Sequence, residues 1–492
     1  MGVIQRQTIK NNVVSLLGVA IGAVSQLLIY PLAVGLKGHI DGVVSFATLL
    51  TPLLLLGTPA VMIRYLPYLR GDDEVRNAGQ LLTRSLAVAT GALIVVCLLN
   101  LLLDPYLGVG QGVLADGRWT IIGVSAALVY AGILTSHLVN FQRIAVPVIF
   151  NNLLIKVGAP LIVLAAVYGY LQPTGADAWL VVLYAAAAVG LVFYAWRLGS
   201  LHLNWGRLQL VDIKVRDLYG LALFSVFGAL GSRLTAQLDT VSINTLLGDV
   251  DTGIYAIAKY VMNVIIIPTV AINSITSSIV ARAWRERDYG HLRYLYQESA
   301  MVLYAVGGLI FTGSVVCLPY VYDLTDALAV YRVGYASVLF LGGAQLFDLM
   351  TSINGNLIGM TDYYRWNVAL VLVLGVINVA LNYIFIAVLG YGITGAALST
   401  LVSLLLYNVL KVLFVWWKMR LQPLTPSLFY TTMALLACGL AGWFLPLGVR
   451  TSLQIIVRGG LICLLFYGYL RYTSGVPALR RLLTQGVSKM FT

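Results

Sequence analysis

From near residue 11 almost to residue 471 the chain is a series of apolar stretches, each long enough to cross a bilayer, separated by short charged or turn-rich breaks. A hydrocarbon core about 30 Å thick is crossed by roughly 20 apolar residues in a helix. Inside lipid, backbone N–H and C=O groups must be satisfied within the segment, so such stretches fold as helices packed on one another. Composition agrees with this reading. Of the 492 residues, 60% are hydrophobic and 10% charged, against roughly 25% charged in soluble proteins. No soluble domain fits between the stretches.

The breaks predict fourteen spans, at 11–36, 42–66, 78–103, 119–141, 147–171, 178–198, 217–247, 252–281, 294–318, 331–358, 367–389, 392–417, 428–446 and 453–471. The first exceeds a signal-peptide core and lacks a small-residue cleavage site, so a retained helix is expected. The fold class is an all-α membrane protein of about 14 transmembrane helices.

The net charge of +12 raises the question of a nucleic-acid or anionic partner. Its placement answers it. From Arg6 and Lys10 at one end to Arg480, Arg481 and Lys489 at the other, and including Lys411, 23 of the 31 Lys and Arg residues fall on one side of this topology. Lys37, Arg118, Arg332, Arg450 and Arg458 fall at the opposite ends. Cytoplasmic loops carry the excess of Lys and Arg, so both termini are expected in the cytoplasm, with an even number of spans. A nucleic-acid binder needs a basic folded face or an aromatic platform, and the sequence offers neither.

A faint repeat runs through the chain. Gly38, Asp41, Gly42, Val43 and Val44 follow a short outer loop and open the second span; Gly248, Asp251, Gly253, Ile254 and Tyr255 open the eighth in the same way. This predicts two pseudo-symmetric six-helix lobes, 1–216 and 217–422, and an additional helix pair with a tail at 423–492. Parallel repeats of this kind place substrate between the lobes.

Ionisable residues within spans are expensive and are therefore candidates for function. Five stand out: Lys156, Arg233, Asp239, Lys259 and Asp348. In the seventh span Ser225, Ser232, Arg233, Thr235, Gln237, Asp239 and Asn244 cover one broad arc, with Phe227, Leu230, Leu234 and Leu238 opposite. In the eighth, Lys259, Asn263, Val270, Ser274 and Ser277 lie at three- and four-residue steps, and Pro268 is expected to bend the span. The tenth aligns Gln345, Asp348, Ser352 and Asn356, and the eleventh carries Asn378 and Asn382. Gln26 and Tyr30 follow Gly18 and Gly22 in the first span, and Arg64 ends the second.

These stripes have two readings. They line a polar lumen, or Asn, Gln and Ser bridge neighbouring helices while Gly18 and Gly22 allow close packing. Arg64, near an inner end, has a snorkelling alternative. His137 reads as a hydrogen-bonded core or interfacial residue rather than a proton carrier. Cys97, Cys317, Cys438 and Cys463 lie in apolar stretches at spacings that match no metal site, and read as packing residues. No G-x-x-x-x-G-K-[ST] loop, catalytic triad or metal cluster is present, so no cofactor, metal or enzymatic activity is expected.

Several segments together resemble the Wzx-type oligosaccharide flippases, the polysaccharide transporter branch of the multidrug/oligosaccharidyl-lipid/polysaccharide exporter superfamily. They are Gln7 to Ser15 running into the first helix, Tyr30-Pro31, the outer Gly38-His39-Ile40-Asp41-Gly42 turn, Gly57 to Pro67, and Leu238-Asp239 followed by Gly253-Ile254-Tyr255 and Lys259. The resemblance implies a V-shaped, two-lobed bundle working by alternating access in a bacterial inner membrane. It also implies a cargo, an undecaprenyl-diphosphate-linked oligosaccharide such as an O-antigen or exopolysaccharide repeat unit. Polymerase or glycosyltransferase partners would act on the same lipid.

Diphosphates need cationic partners, with Arg for forked contacts and Lys as a point charge. The substrate-binding candidates are therefore Arg64, Lys156, Arg233, Gln237, Lys259 and Asn263. Asp239 and Asp348 are candidates for coupling to H+ or Na+. Alternatives are a lipid II flippase, a multidrug and toxin exporter, or a membrane enzyme handling lipid-linked glycans. Multidrug and toxin exporters usually have twelve spans. An enzyme would be expected to carry a large outer loop with catalytic Arg or His, and the longest outer loop, 104–118, has no His and one Arg.

The charge bias makes topology testable. Cysteines replacing Asp73, Arg207 or Gln485 should react with an impermeant maleimide only in opened membranes, while those replacing Asp41, Asp116 or Asp177 should react in spheroplasts. Reversed labelling would overturn the orientation.

Overall fold

In the computed structural model the residues described are 3–69, 74–107, 113–143, 145–172, 175–206, 215–448, 450–473, 476, 477 and 479. Helix dominates them, and no strand occurs among them. Twelve helical runs are long and apolar enough to cross a membrane. One of these, Val13–Leu55, has 43 residues, about twice a single crossing. It is interrupted at Ala33, where φ of −150° and ψ of 68° leave the helical region. A further helix of 18 residues, Pro426–Trp443, is about 27 Å long at 1.5 Å per residue. The helix count is therefore close to the fourteen expected.

The chain divides into two compact units, Met1–Gly253 and Ile254–Thr492. The first holds α1 (Val3–Val24), α2 (Val34–Leu55), α3 (Thr58–Tyr65), α4 (Glu74–Leu107), α5 (Val113–Asp116), α6 (Arg118–Asn140), α7 (Ala145–Val148), α8 (Ile155–Val167), α9 (Ala176–Arg197) and α10 (Val215–Leu247). It also holds the first residues of α11 (Asp249–Asn263). Two apolar clusters organise it. Near one end Tyr30, Ile40, Val43, Val124, Val163, Leu180 and Tyr184 join α2, α6, α8 and α9. Toward the other, Leu54, Met62, Leu82, Ile133, Leu138 and Leu191 join α2, α3, α4, α6 and α9.

The second unit holds the rest of α11, then α12 (Ile267–Glu286), α13 (Tyr289–Tyr322), α14 (Asp326–Ala329), α15 (Tyr335–Thr351), α16 (Asn354–Gly359), α17 (Tyr364–Asn382), α18 (Gly392–Met419), α19 (Pro426–Trp443) and α20 (Thr451–Tyr472). Its terminal pair packs on α13 through Met301, Val316, Leu435, Cys438, Ile462 and Phe466. Buried Arg458 of α20 fixes that pair by donating to the carbonyls of Gly442, Trp443 and Leu445, which the end of α19 leaves unsatisfied. Its guanidinium also lies 4.6 Å from the ring of Tyr320.

Several spans expected to be continuous are broken, each for a local reason. The 42–66 span stops at Leu56 and Gly57, both with positive φ, before α3 resumes. A Cβ on Gly57 would collide with the backbone of Ala222 in α10. In the 252–281 span Pro268 starts α12 after a 3-10 turn at Val264–Ile266. It therefore sits in the first turn of a new helix, where its missing N–H costs nothing, rather than bending one helix. The stripe from Lys259 to Ser277 is thus divided between two helices. The 331–358 span breaks at Ser352, so Gln345, Asp348, Ser352 and Asn356 do not share one continuous face.

The outer turn assigned to Gly38–Gly42 is a further correction, since these residues lie inside α2. Their glycines serve helix approach. A Cβ on Gly38 would meet the Asp249 carbonyl and the Gly253 nitrogen, and one on Gly253 would meet the Val34 carbonyl. As far as Gly253, the two segments picked out as repeats are therefore packed on each other within the first unit. Asp73, Arg207 and Gln485, named above as labelling positions, and the tail from 480 onward fall on residues outside those described.

Because the obstruction at Gly38 is backbone, it has nowhere to go. Gly38→Ala should destabilise the protein by about 3 kcal/mol, at the upper end of overpacking costs, read as a lower midpoint in thermal unfolding in detergent. An unchanged midpoint would refute the close approach.

Candidate functional site

The first unit carries five of the eight residues singled out in the sequence. Arg64 lies in the last turn of α3, exposed, with its guanidinium 6.0 Å from the ring of Tyr65. Lys156 of α8 is half-buried and lies along α1, where a Cβ on Gly18 would stand 3.3 Å from its Cδ and 3.5 Å from its Nζ. Gly18 is small where the lysine stem passes. On α10, Arg233 is exposed, Gln237 is half-buried and Asp239 is buried. The Ser45 hydroxyl of α2 donates to Gln237 Oε1 at 3.1 Å, so one of the proposed cargo contacts is also a bridge between helices.

In the second unit, Lys259 is half-buried on α11 and Asn263 is exposed at its end. Asp348 is half-buried on α15 and accepts from Asn408 Nδ2 of α18 at 2.9 Å. The two candidate coupling acids belong to different compact units. His137 is fully buried, with Nε2 3.0 Å from the Ser200 carbonyl and its ring edge-on to Phe141. That geometry matches the core reading.

Two groupings were not foreseen. In the first unit His39 of α2 stands between two carboxylates, with Nδ1 3.0 Å from Asp249 Oδ2 and Nε2 2.9 Å from Asp177 Oδ1. Acceptors at both ring nitrogens suit an imidazolium, which donates from both. Asn244 Nδ2 donates to Asp249 Oδ1 at 2.8 Å, and Val113 N donates to Asn244 Oδ1 at 2.9 Å. Two residues before His39, Lys37 pairs with Asp41 and lies 4.6 Å from the Tyr30 ring. His39 thus ties α2 to α9 and α11 where the glycines bring the backbones together. The signal available in the sequence was a histidine between Lys37 and Asp41, at the head of an apolar stretch. Its partners, 138 and 210 residues away, had none.

The second grouping surrounds Asp348. Asn408 Oδ1 accepts from Thr351 Oγ1 at 3.0 Å and from Asn354 Nδ2 at 3.5 Å. Lys411, assigned above to the inner side among the topology-setting charges, is 5% exposed. Its Nζ lies 4.2 Å from the ring of Tyr407 and interacts electrostatically with Asp348. About 12 Å of helix separates it from the end of α18 at 1.5 Å per residue, too far for a residue that merely marks the boundary. Elsewhere in this unit, Asn382 Nδ2 donates to Asn378 Oδ1 at 2.9 Å and Ser399 Oγ to Asn382 Oδ1 at 2.6 Å, so those two asparagines link α17 to α18.

No family model matches the chain, and no curated protein matches it in sequence. Its fold does match solved transporters. Lipid II flippase MurJ in an inward closed conformation superposes with a TM-score of 0.70, 12% identity, and coverage of 94% of this chain and 98% of that one. The inward-facing conformation of a multidrug resistance MATE family transporter of the MOP superfamily gives 0.60, 14%, 87% and 96%. A MATE in complex with MaL6 gives 0.53, 14%, 88% and 97%. The chain is a multi-span membrane protein with the fold of these MOP-superfamily transporters and flippases.

His39→Ala would leave Asp177 and Asp249 without their shared donor. With side chains 27% and 31% exposed, the acids are partly hydrated, and the cost should be about 1–3 kcal/mol, as for losing a charged hydrogen bond. Thermal unfolding of the purified variant measures it, and an unchanged midpoint would show that His39 ties nothing together.

Proposed function

We propose that the chain is a flippase that carries an undecaprenyl-diphosphate-linked oligosaccharide, an O-antigen or exopolysaccharide repeat unit, from the cytoplasmic to the outer leaflet by alternating access. Its place would be a bacterial inner membrane, with both termini cytoplasmic. The observation that carries the reading is the combination of a fold shared with a lipid II flippase over 94% of this chain and an excess of cations over acids among the intramembrane candidates. Arg64 and Arg233 are exposed and Lys156 and Lys259 half-buried. An anionic headgroup fits that set better than a cationic drug.

Under this proposal Arg64, Lys156, Arg233 and Lys259 bind the diphosphate while Gln237 and Asn263 bind neighbouring polar groups. The repeat-based lobes 1–216 and 217–422 move against each other, and 423–492 is the additional pair. Asp239 and Asp348 couple the cycle to an ion. Lipid II as cargo is the second reading, favoured by the same MurJ likeness.

Arg233→Ala or Lys259→Ala should abolish surface glycan while leaving the protein in the membrane at normal abundance. Arg233→Lys should restore export only in part, because it keeps the charge and loses the fork. Full export in both alanine variants, measured with protein level on the same cells, would remove these residues from the mechanism.

A further inference from the structure

The grouping around Asp348 carries a second charge that the transport reading does not use. Lys411 is almost completely buried on a helix that crosses the membrane. Of the groups that surround it, α15 contributes Asp348 and its own helix contributes Tyr407. From α16 it meets backbone: a Cβ on Gly355 would lie 3.8 Å from Nζ, and that helix bears no titratable residue. The titratable residues of α17 and of the π turn at Tyr383–Val388 are Tyr364, Arg365 and Tyr383, all exposed. α12 and α13 join α18 in one apolar cluster, to which α13 brings the buried Tyr296. Among the described residues, Asp348 is the charged group that acts on Lys411.

A second observation marks the same place. α15 ends immediately after Asp348 and Thr351 because Ser352 takes φ 47° and ψ −118°, a conformation that a residue with a Cβ rarely adopts. Such outliers persist where the surroundings over-determine them, and they gather at functional sites. The interruption brings Thr351 and Asn354, from either side of the break, onto one acceptor, Asn408 Oδ1. Ser352 itself donates to Ser299 Oγ of α13 at 3.0 Å. Broken transmembrane helices are where transporters build ion sites.

We propose that Asp348 and Lys411 together form a proton site, with Lys411 as the proton carrier, and that this site refuses sodium. Sodium is a hard cation that wants several oxygen ligands. Here Asn408 Oδ1 already accepts two hydrogen bonds, one Asp348 oxygen already accepts from Asn408, and the Lys411 ammonium interacts electrostatically with the same carboxylate. A proton meets no such obstacle. Uptake of one proton by the Lys411 amine forms one N–H bond and turns an amine–carboxylate pair of net negative charge into a neutral ammonium–carboxylate pair. Release to water reverses it. Because Lys411 is buried and an unmatched charge there is costly, protonation and the arrangement of α15, α16 and α18 are linked. Lysines in such settings are the ones proteins use to exchange protons.

The inference rests on the ion-coupled part of the transport reading, and its test reads conformation rather than export, so the two fail separately. Nitroxides on exposed Leu203 and Tyr294 of the full-length protein in lipid nanodiscs would report distance distributions by double electron–electron resonance. Wild type should shift its distribution between acidic and alkaline buffer at constant sodium, and show no shift between sodium and choline at constant pH. Asp348→Asn with Lys411→Met, a neutral pair of similar size, should lose the pH shift. A sodium-dependent shift in wild type, no pH shift in wild type, or a pH shift that survives in a monodisperse double variant would each overturn the proposal. The wild-type titrations decide it even if the double variant fails to fold.

Discussion

A charge inside a membrane-crossing helix has to be matched, and much of this structure is arranged around that demand. Moving an ion from water into a low-dielectric interior costs several kcal/mol even after relaxation. The chain meets the cost in three ways. His39 is placed between two carboxylates, Arg458 is spread over the carbonyls of a helix end, and Lys411 is set beside Asp348 and an aromatic face. Each match joins helices distant in sequence, so the same contacts that offset desolvation also fix which helices are neighbours.

Backbone follows the same logic. Where α2 and α11 approach, glycine removes the side chain and the helices touch through carbonyl and amide groups, with the His39 network alongside. Where α15 is interrupted, the polar groups of Thr351, Asn354 and Asn408 take up hydrogen bonding around the break. Irregular backbone at membrane depth is tolerated only when protein or a wet cavity satisfies it. The positions of Gly38, Gly253 and Ser352 are therefore constrained as tightly as those of the charges.

Much of the fold was legible in the sequence because hydrophobic length is a one-dimensional property. Spans such as 453–471 and 178–198 coincide with α20 and α9 to within a few residues, since turn residues and charges bound them on both sides. Breaks inside spans were less legible. Pro268 announced one but not its form, and nothing in the residues around Ser352 announces positive φ. Glycines at 38 and 253 stood out for the right reason, a repeated pattern, and yet were assigned to turns, because a glycine needed for a turn and one needed for helix contact look alike in sequence. Among the candidate site residues, Asp348 was visible as an acid in an apolar stretch. Lys411 was hidden by its distance from the chain's basic loops, only a few turns, which made it resemble a boundary marker. His39 could be seen, but its partners come from α9 and α11 and are set by tertiary packing.

Once the cations are sorted by burial, they divide into two kinds with different chemistry. Arg64 and Arg233 are exposed, so binding an anion there costs little further desolvation and the guanidinium can offer its fork to a phosphate. Lys411 is closed in by protein and interacts with an anionic neighbour, so a diphosphate could reach it only by displacing the packing around it. A proton requires no such displacement. If binding at the first kind is to drive the cycle in one direction, it has to bias an element with two arrangements. Under the proton-site proposal the interrupted α15–α16 segment of the second unit would be such an element, because its polar groups satisfy one another across the break. Coupling of this kind is reciprocal: cargo that favours one arrangement must change the proton affinity of the pair by the same factor by which the proton changes the affinity for cargo.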